Sequence, residues 1–344
     1  NRAYGWRCKQ ADGALQPVQM DVACHEQHGL NSTAQSDPND AYSWKCVQEG
    51  NLPELVIAEL PGNTIDHVSY RQARSRLNIY RGERMVILSP FKLPDADVPV
   101  IVRNADTCAA VYGEFSIGTW PFNAHKNFPG MGSIALVERT CGAGCGAGGQ
   151  AEVAVSEFRE AYRLIGDLKD PFTWQVGFYE FGRSGSSRSN PSYPFNPALD
   201  PSAGHDVIAS AYPEFAMSVC YDRLGYNAER YQENVRTKRY PRNQSVGEHA
   251  RQFWESGLSF RVALSKDRKG YYRGWILSGL LYDVYRQFGA ETTKRFLQEL
   301  AVIAKASGQA KDTAHVERNI IAAANAAGGG AMTNYLRQKW RIDG

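Results

Sequence analysis

The sequence predicts an α+β protein in three parts: a small disulfide-bonded N-terminal module, a β-rich middle segment and a mainly helical C-terminal body. Three observations predict it. Three of the seven cysteines (Cys8, Cys24 and Cys46) fall within residues 1–50. Short apolar runs bounded by turn residues fill 51–155. Apolar residues at helical spacing dominate 156–344.

The 344 residues are enough for two domains or for one large domain with an appended module. A formal net charge of +3, without any Lys/Arg-rich run, argues against a nucleic-acid partner. No stretch reaches the roughly 18 consecutive apolar residues of a membrane span. The opening residues, Asn1 to Trp6, do not read as a signal peptide. The cysteines lack the spacing of a zinc ribbon and read as disulfides, which points to an oxidising, extracellular compartment. Their odd number leaves one free or paired outside the chain.

In the N-terminal module two segments echo each other. Ala3-Tyr4-Gly5-Trp6-Arg7-Cys8 matches Ala41-Tyr42-Ser43-Trp44-Lys45-Cys46, a repeat of about 38 residues. The first copy reads as the tail of a unit and the second as complete. Met20 to Cys24 reads as a short helix, Asp37-Pro38-Asn39-Asp40 as a turn and Tyr42 to Cys46 as a strand. A Cys24–Cys46 bridge would close a unit too small for its own core, leaving Cys8 as the odd thiol. His25-Glu26-Gln27-His28 lacks the i, i+4 histidine spacing of a zinc helix and reads as a polar helix end. The unit resembles short Cys/Trp repeats of secreted actinobacterial proteins, which implies an envelope or surface setting and no chemistry.

In the middle segment Leu55–Ala58, Met85–Leu88, Val98–Val102 and Ile134–Val137 read as strands. Pro99 marks the third as an edge or a bulge. The loop around Trp120 and His125 is aromatic and rich in Gly and Pro, the composition of a groove wall. Cys141 to Gly149 lacks both the Lys-Ser/Thr of a phosphate loop and a GxGxxG frame. It reads as a flexible loop pinned by a disulfide to Cys108.

In the C-terminal body Asp170-Pro171 and Asp200-Pro201 are helix-start signals. Pro213 is expected to kink or interrupt its segment. Ile276, Leu280, Val284 and Phe288 form a buried helical stripe ending at Gly289. A second helix through Phe296 to Ile303 stops near Gly308. A third precedes Gly328-Gly329-Gly330, and a last one covers Met332 to Trp340. Cys220, in an apolar helical run, reads as a buried, inert thiol.

Tyr179-Glu180-x-x-Arg183 sits where these helices begin. With the closing Ala326 to Leu336 pattern, it resembles the gluzincin-type (mucin-peptidase and enhancin-like) zinc metallopeptidases over roughly 160–344. Their motif, His-Glu-x-x-His, holds zinc through two imidazoles, and its Glu activates the bound water. The resemblance puts Tyr179 and Arg183 at the histidine positions, Glu180 at the base and Glu214 at the third ligand. Arginine stays protonated and tyrosine is a poor substitute for imidazole, so no metal or other cofactor is expected.

Two functions follow as expectations. The first is a secreted, surface-associated protein whose metal-free, peptidase-like cleft binds a glycan, polysaccharide or peptide. Tyr179, Arg183, Trp174, Tyr212, Trp120 and His125 would then contact the ligand. The alternative is a metal-independent hydrolase, a glycosidase before a peptidase, using Glu180 with Glu214 or Asp206. Gly182-Arg183-Ser184-Gly185 is not a serine-hydrolase elbow.

Overall fold

The computed structural model describes residues 7–9, 15–17, 32–35, 45–48, 54–117, 127–184, 194–201, 206–226, 246–265 and 271–344. In the N-terminal module β1 (Arg7–Lys9) pairs antiparallel with β2 (Leu15–Pro17), and β3 (Ser32–Gln35) with β4 (Lys45–Gln48). Cys8 and Cys46, equivalent in the repeat, both lie on strands. The expected helix at Met20–Cys24 and the Cys24–Cys46 bridge lie outside the described residues.

A six-stranded mixed sheet organises the middle segment, in the order β5-β6-β7-β8-β10-β9. Its strands are β5 (Thr64–Val68), β6 (Arg74–Arg81), β7 (Met85–Ser89), β8 (Gly132–Val137), β9 (Gly144–Ala147) and β10 (Gln150–Ala154). β7, β8 and β10 run parallel, whereas β5–β6, β6–β7 and β9–β10 are antiparallel. The two central strands are buried along their whole length, as their unbroken apolar runs predict.

The parallel step from β7 to β8 needs a crossover, and α1 (Val98–Phe115) begins it. This corrects the expectation of a strand at Val98–Val102. The β-branched residues there have strand propensity, but Pro99 stands in the first helical turn, where its missing N–H costs nothing. Ile101, Ala105, Cys108, Tyr112 and Phe115 then recur at helical spacing and are buried. Leu55–Ala58 also differs from expectation. It forms a single bridge, Ile57 to Phe91, and leaves Val56 and Ile57 exposed.

The helical body follows β10. α2 (Val155–Ile165) leads to a 3-10 turn (Pro171–Trp174), whose Asp170 cap accepts from Phe172 N at 2.9 Å, and then to α3 (Gln175–Ser184). The short α4 (Asn196–Leu199) ends at Asp200, which therefore closes a helix where a helix start was expected. α5 (Asp206–Arg223) continues through Pro213 without ending, so the proline does not interrupt it. α6 (Val246–Glu255) and α7 (Phe260–Ser265) precede two long helices. α8 (Tyr271–Ser307) is broken at Gly289 and α9 (Thr313–Trp340) at Gly329, the breaks the glycines predict.

One apolar core joins both segments. It runs from Ile87, Ile134 and Val153 on the sheet through Tyr112, Phe178 and Phe215 to Leu280, Ile320 and Trp340 on the helices. A smaller core covers the other face of the sheet, built on Leu77, Val86, Leu88, Ala135 and Val137.

The disulfides correct two expectations. Cys108 bonds Cys220, tying α1 to α5 across 112 residues, and Cys141 bonds Cys145. A Cys108–Cys141 bridge does not form, because Cys108 faces the core against α5 while Cys141 lies on an exposed bend. Cys220 is buried but is no free thiol. Among the described residues no helix is long and apolar enough to cross a membrane.

Candidate functional site

The site is built where α3 passes beneath the edge strand β9. Only glycine fits at this crossing. A Cβ on Gly146 would overlap the Glu180 carbonyl oxygen, and one on Gly144 would stand 2.7 Å from Glu180 Cγ. The Gly148-Gly149 turn is held from below by Ser184. Gly148 N donates to the Ser184 carbonyl at 3.1 Å, and Gly149 N to Ser184 Oγ at 3.0 Å. Ser184 is fully buried in this role, which corrects the reading of Cys141–Gly149 as a flexible loop.

β9 is the last strand of the sheet. Its pairing with β10 alternates from the two-residue turn, and Ala154 N donates to the Ala143 carbonyl at 3.0 Å. Ala143, Cys145 and Ala147 therefore turn their backbone groups inward to β10. Gly144 and Gly146 turn theirs to the outer edge. Among the described residues no strand pairs with that edge.

Glu180 lies under this edge, 6% exposed. Arg183 Nη1 is 3.9 Å from Glu180 Oε1, an ion pair too long for a hydrogen bond. Among the described residues Glu180 Oε2, which is buried, has no hydrogen-bond partner. Burial raises the Glu180 carboxyl above its ordinary pKa, against the lowering effect of Arg183.

Glu214, on α5, completes the cluster with Tyr179. Glu214 keeps some solvent exposure as a residue, but its carboxyl is enclosed, and burial pushes its pKa up to about 7. Burial and then the Glu214 charge push Tyr179 up to about 12, against a hydrogen bond with Ser210 and the Arg183 charge. Helices α3 and α5 thus bring together Tyr179, Glu180, Arg183 and Glu214, four of the residues the sequence singled out.

Those residues do not fit a zinc ion. The Tyr179 hydroxyl keeps its proton at neutral pH, and Arg183 is a permanent cation on the outer side of Glu180. Among the described residues no three His, Cys, Asp or Glu side chains gather as metal ligands.

Trp174 and Tyr212 do not line a cleft, which corrects their expected role. Trp174 is buried against Phe158 and donates its indole N–H to the Leu168 carbonyl at 2.9 Å. Tyr212 is buried beside Tyr112 and Phe195, and its hydroxyl donates to the Tyr112 carbonyl. Both pack the scaffold under the site. Asp206 begins α5, but its side chain lies outside the described residues, as do Trp120 and His125.

Two neighbours escaped the sequence reading. Tyr70, at the tip of the β5–β6 hairpin, reaches over β9 and donates to the Ala147 carbonyl at 3.2 Å. Burial, the charge of Glu152 and the more distant charge of Glu180 push its hydroxyl up to about 12. Glu152, on β10, is the anchor of that tip. It accepts from Tyr70 N at 3.0 and 3.1 Å and from Thr140 Oγ1 at 3.0 Å, and it pairs with His67 Nε2 at 3.0 Å. A glutamate set among the apolar residues of Ala151 to Ala154 was the available signal for a buried carboxylate. Nothing local marks Tyr70.

Compared with family models, curated proteins and solved structures, the chain matches none.

Proposed function

We propose that this is a secreted recognition protein that binds an extended peptide as an added strand along β9, above Glu180. One observation carries the reading: the outer edge of β9 is unpaired among the described residues and rests on a carboxylate with an unmatched oxygen. Strand addition takes its affinity from main-chain hydrogen bonds and its specificity from what lies beneath alternate side chains. Gly144 and Gly146 would supply the main-chain groups. Glu180, flanked by Tyr70, Tyr179 and Arg183, would accept from a donor on the ligand. The two disulfides support an oxidising, extracellular setting. The burial of Trp174 and Tyr212 removes two aromatic platforms from a sugar-binding reading. The resemblance of Tyr179-Glu180-x-x-Arg183 to the His-Glu-x-x-His pattern is what supports reading the body as a peptidase-like scaffold without its metal.

A peptide display screen followed by titration tests this. Peptides selected as binders are expected to lose at least about tenfold in affinity when alternate backbone nitrogens are methylated, since each added-strand hydrogen bond needs its N–H. Undiminished binding by the methylated peptides would contradict strand addition.

The raised pKa values of Glu180 and Glu214 favour a second reading, a metal-independent hydrolase with an acid/base pair. Product release from a glycan or peptide panel that disappears in Glu180→Gln would support it. Release that persists in Glu180→Gln would remove Glu180 from that role.

A further inference from the structure

A second concave region lies between the β6–β7 turn and α1, a groove of about 570 Å³. Arg81 and Arg84 flank the turn, and Arg103 faces them from α1. Pro99, Val102 and Ala110 of α1 also line it. All three arginines are exposed.

The carboxylate at the centre of the groove is already committed. Asp106 accepts from the backbone N–H groups of Glu83, Arg84 and Met85, each at 2.9 Å, and so shapes the turn. Among the described residues neither Arg81 nor Arg103 forms an ion pair with a carboxylate. The exposed Glu83 is the remaining acidic group on the rim. Three guanidinium groups thus line the groove against two carboxylates, and guanidinium takes carboxylate and sulfate oxygens in bidentate fashion.

We infer that this groove binds an anionic polysaccharide, one carrying sulfate or carboxylate groups on successive sugars. Its size and the spread of the arginines over two elements suit several charges on one chain rather than a single small ion. Its lining has no aromatic ring on which a base could stack, which argues against nucleic acid. The site is separate in its residues from Glu180 and stands whether or not the peptide reading holds.

The test is titration of the whole protein with dextran sulfate, uncharged dextran, pyrophosphate and single-stranded DNA. Dextran sulfate is expected to bind with an affinity that falls as salt rises. Arg81→Gln, Arg84→Gln and Arg103→Gln combined should weaken it by about tenfold or more, since charge-assisted contacts are lost. Glu83→Gln should strengthen it by removing the opposing charge, and Glu180→Gln should leave it unchanged. Uncharged dextran should not bind. Circular dichroism matching the parent would show that the triple variant is folded. If that variant does not fold, the single Arg103→Gln and Glu83→Gln changes give the same comparison with opposite signs. Absence of dextran sulfate binding would overturn the proposal, as would binding unaffected by the arginine changes. Equal or tighter binding of pyrophosphate or DNA would also overturn it.

Discussion

Two buried glutamates lie on opposite faces of the β9–β10 hairpin, and they are treated differently. Glu152 faces the hairpin tip and is matched by His67, Thr140 and the Tyr70 backbone N–H. Glu180 faces β9 from α3 with a distant arginine and one oxygen unmatched. A buried carboxylate with all its donors in place is a structural joint. One left partly unmatched carries a cost that calls for an explanation, such as a water, an ion or a ligand that supplies the missing donor. Among the described residues Glu317 Oε1 is also buried and unmatched, so the contrast marks Glu180 as a site only together with the unpaired edge of β9 above it.

The comparison breaks first at Glu152. Glu152→Ala strands the donors gathered around it and should destabilise the fold by about 3–5 kcal/mol, read from urea unfolding. A loss under about 1 kcal/mol would show that Glu152 is not the joint described. Gly146→Ala should follow at about 2–3 kcal/mol, because the new Cβ meets the Glu180 carbonyl and the backbone there has little room to shift. The same change should abolish peptide binding. Unfolding and peptide titration on one sample check both.

The Cys141–Cys145 clip at the start of β9 comes next. It closes a loop only four residues apart, so replacing both cysteines by alanine should cost about 2 kcal/mol or less. The same replacement at Cys108 and Cys220, which join residues 112 apart in the core, should cost more than that.

Smallest in stability is Glu180→Gln. Burial already disfavours its charged form, so the change should fall within about 1 kcal/mol of the parent, on either side. The pH dependence has a definite sign. Glu214 has a folded pKa of about 7, above its ordinary value of 4.5, so the folded state holds more protons than the unfolded state between them. Its contribution is most favourable below the ordinary value and is lost as pH rises from there towards about 7. Glu214→Gln should flatten that slope, seen as the difference between parent and variant unfolding curves across the window.

The sequence carried some of this clearly. Met85–Leu88 and Ile134–Val137 are strands because continuous apolar runs can be buried only in the centre of a sheet. Gly289, Gly308 and Gly329 end or break helices where positive φ is required. Val98–Val102 was misleading because β-branching outweighed the helical spacing of Ile101, Ala105 and Cys108. At the site, Tyr179, Glu180, Arg183 and Glu214 were marked by the resemblance to the His-Glu-x-x-His pattern and its third ligand. The edge position of β9 was not marked, since strand order depends on long-range pairing. Cystine partners also depend on tertiary placement, as Cys108 and Cys220 show. Tyr70 enters only because a hairpin folds across the sheet.

The central claim is that a peptide pairs with the outer edge of β9 above Glu180. Amide hydrogen exchange, resolved by NMR at single residues and measured with and without a bound peptide, tests it most directly. The account predicts that protection rises at Gly144 and Gly146, whose groups face the free edge, while Cys145 and Ala147, already bonded to β10, change little. Saturating peptide with no gain at Gly144 or Gly146 would contradict it.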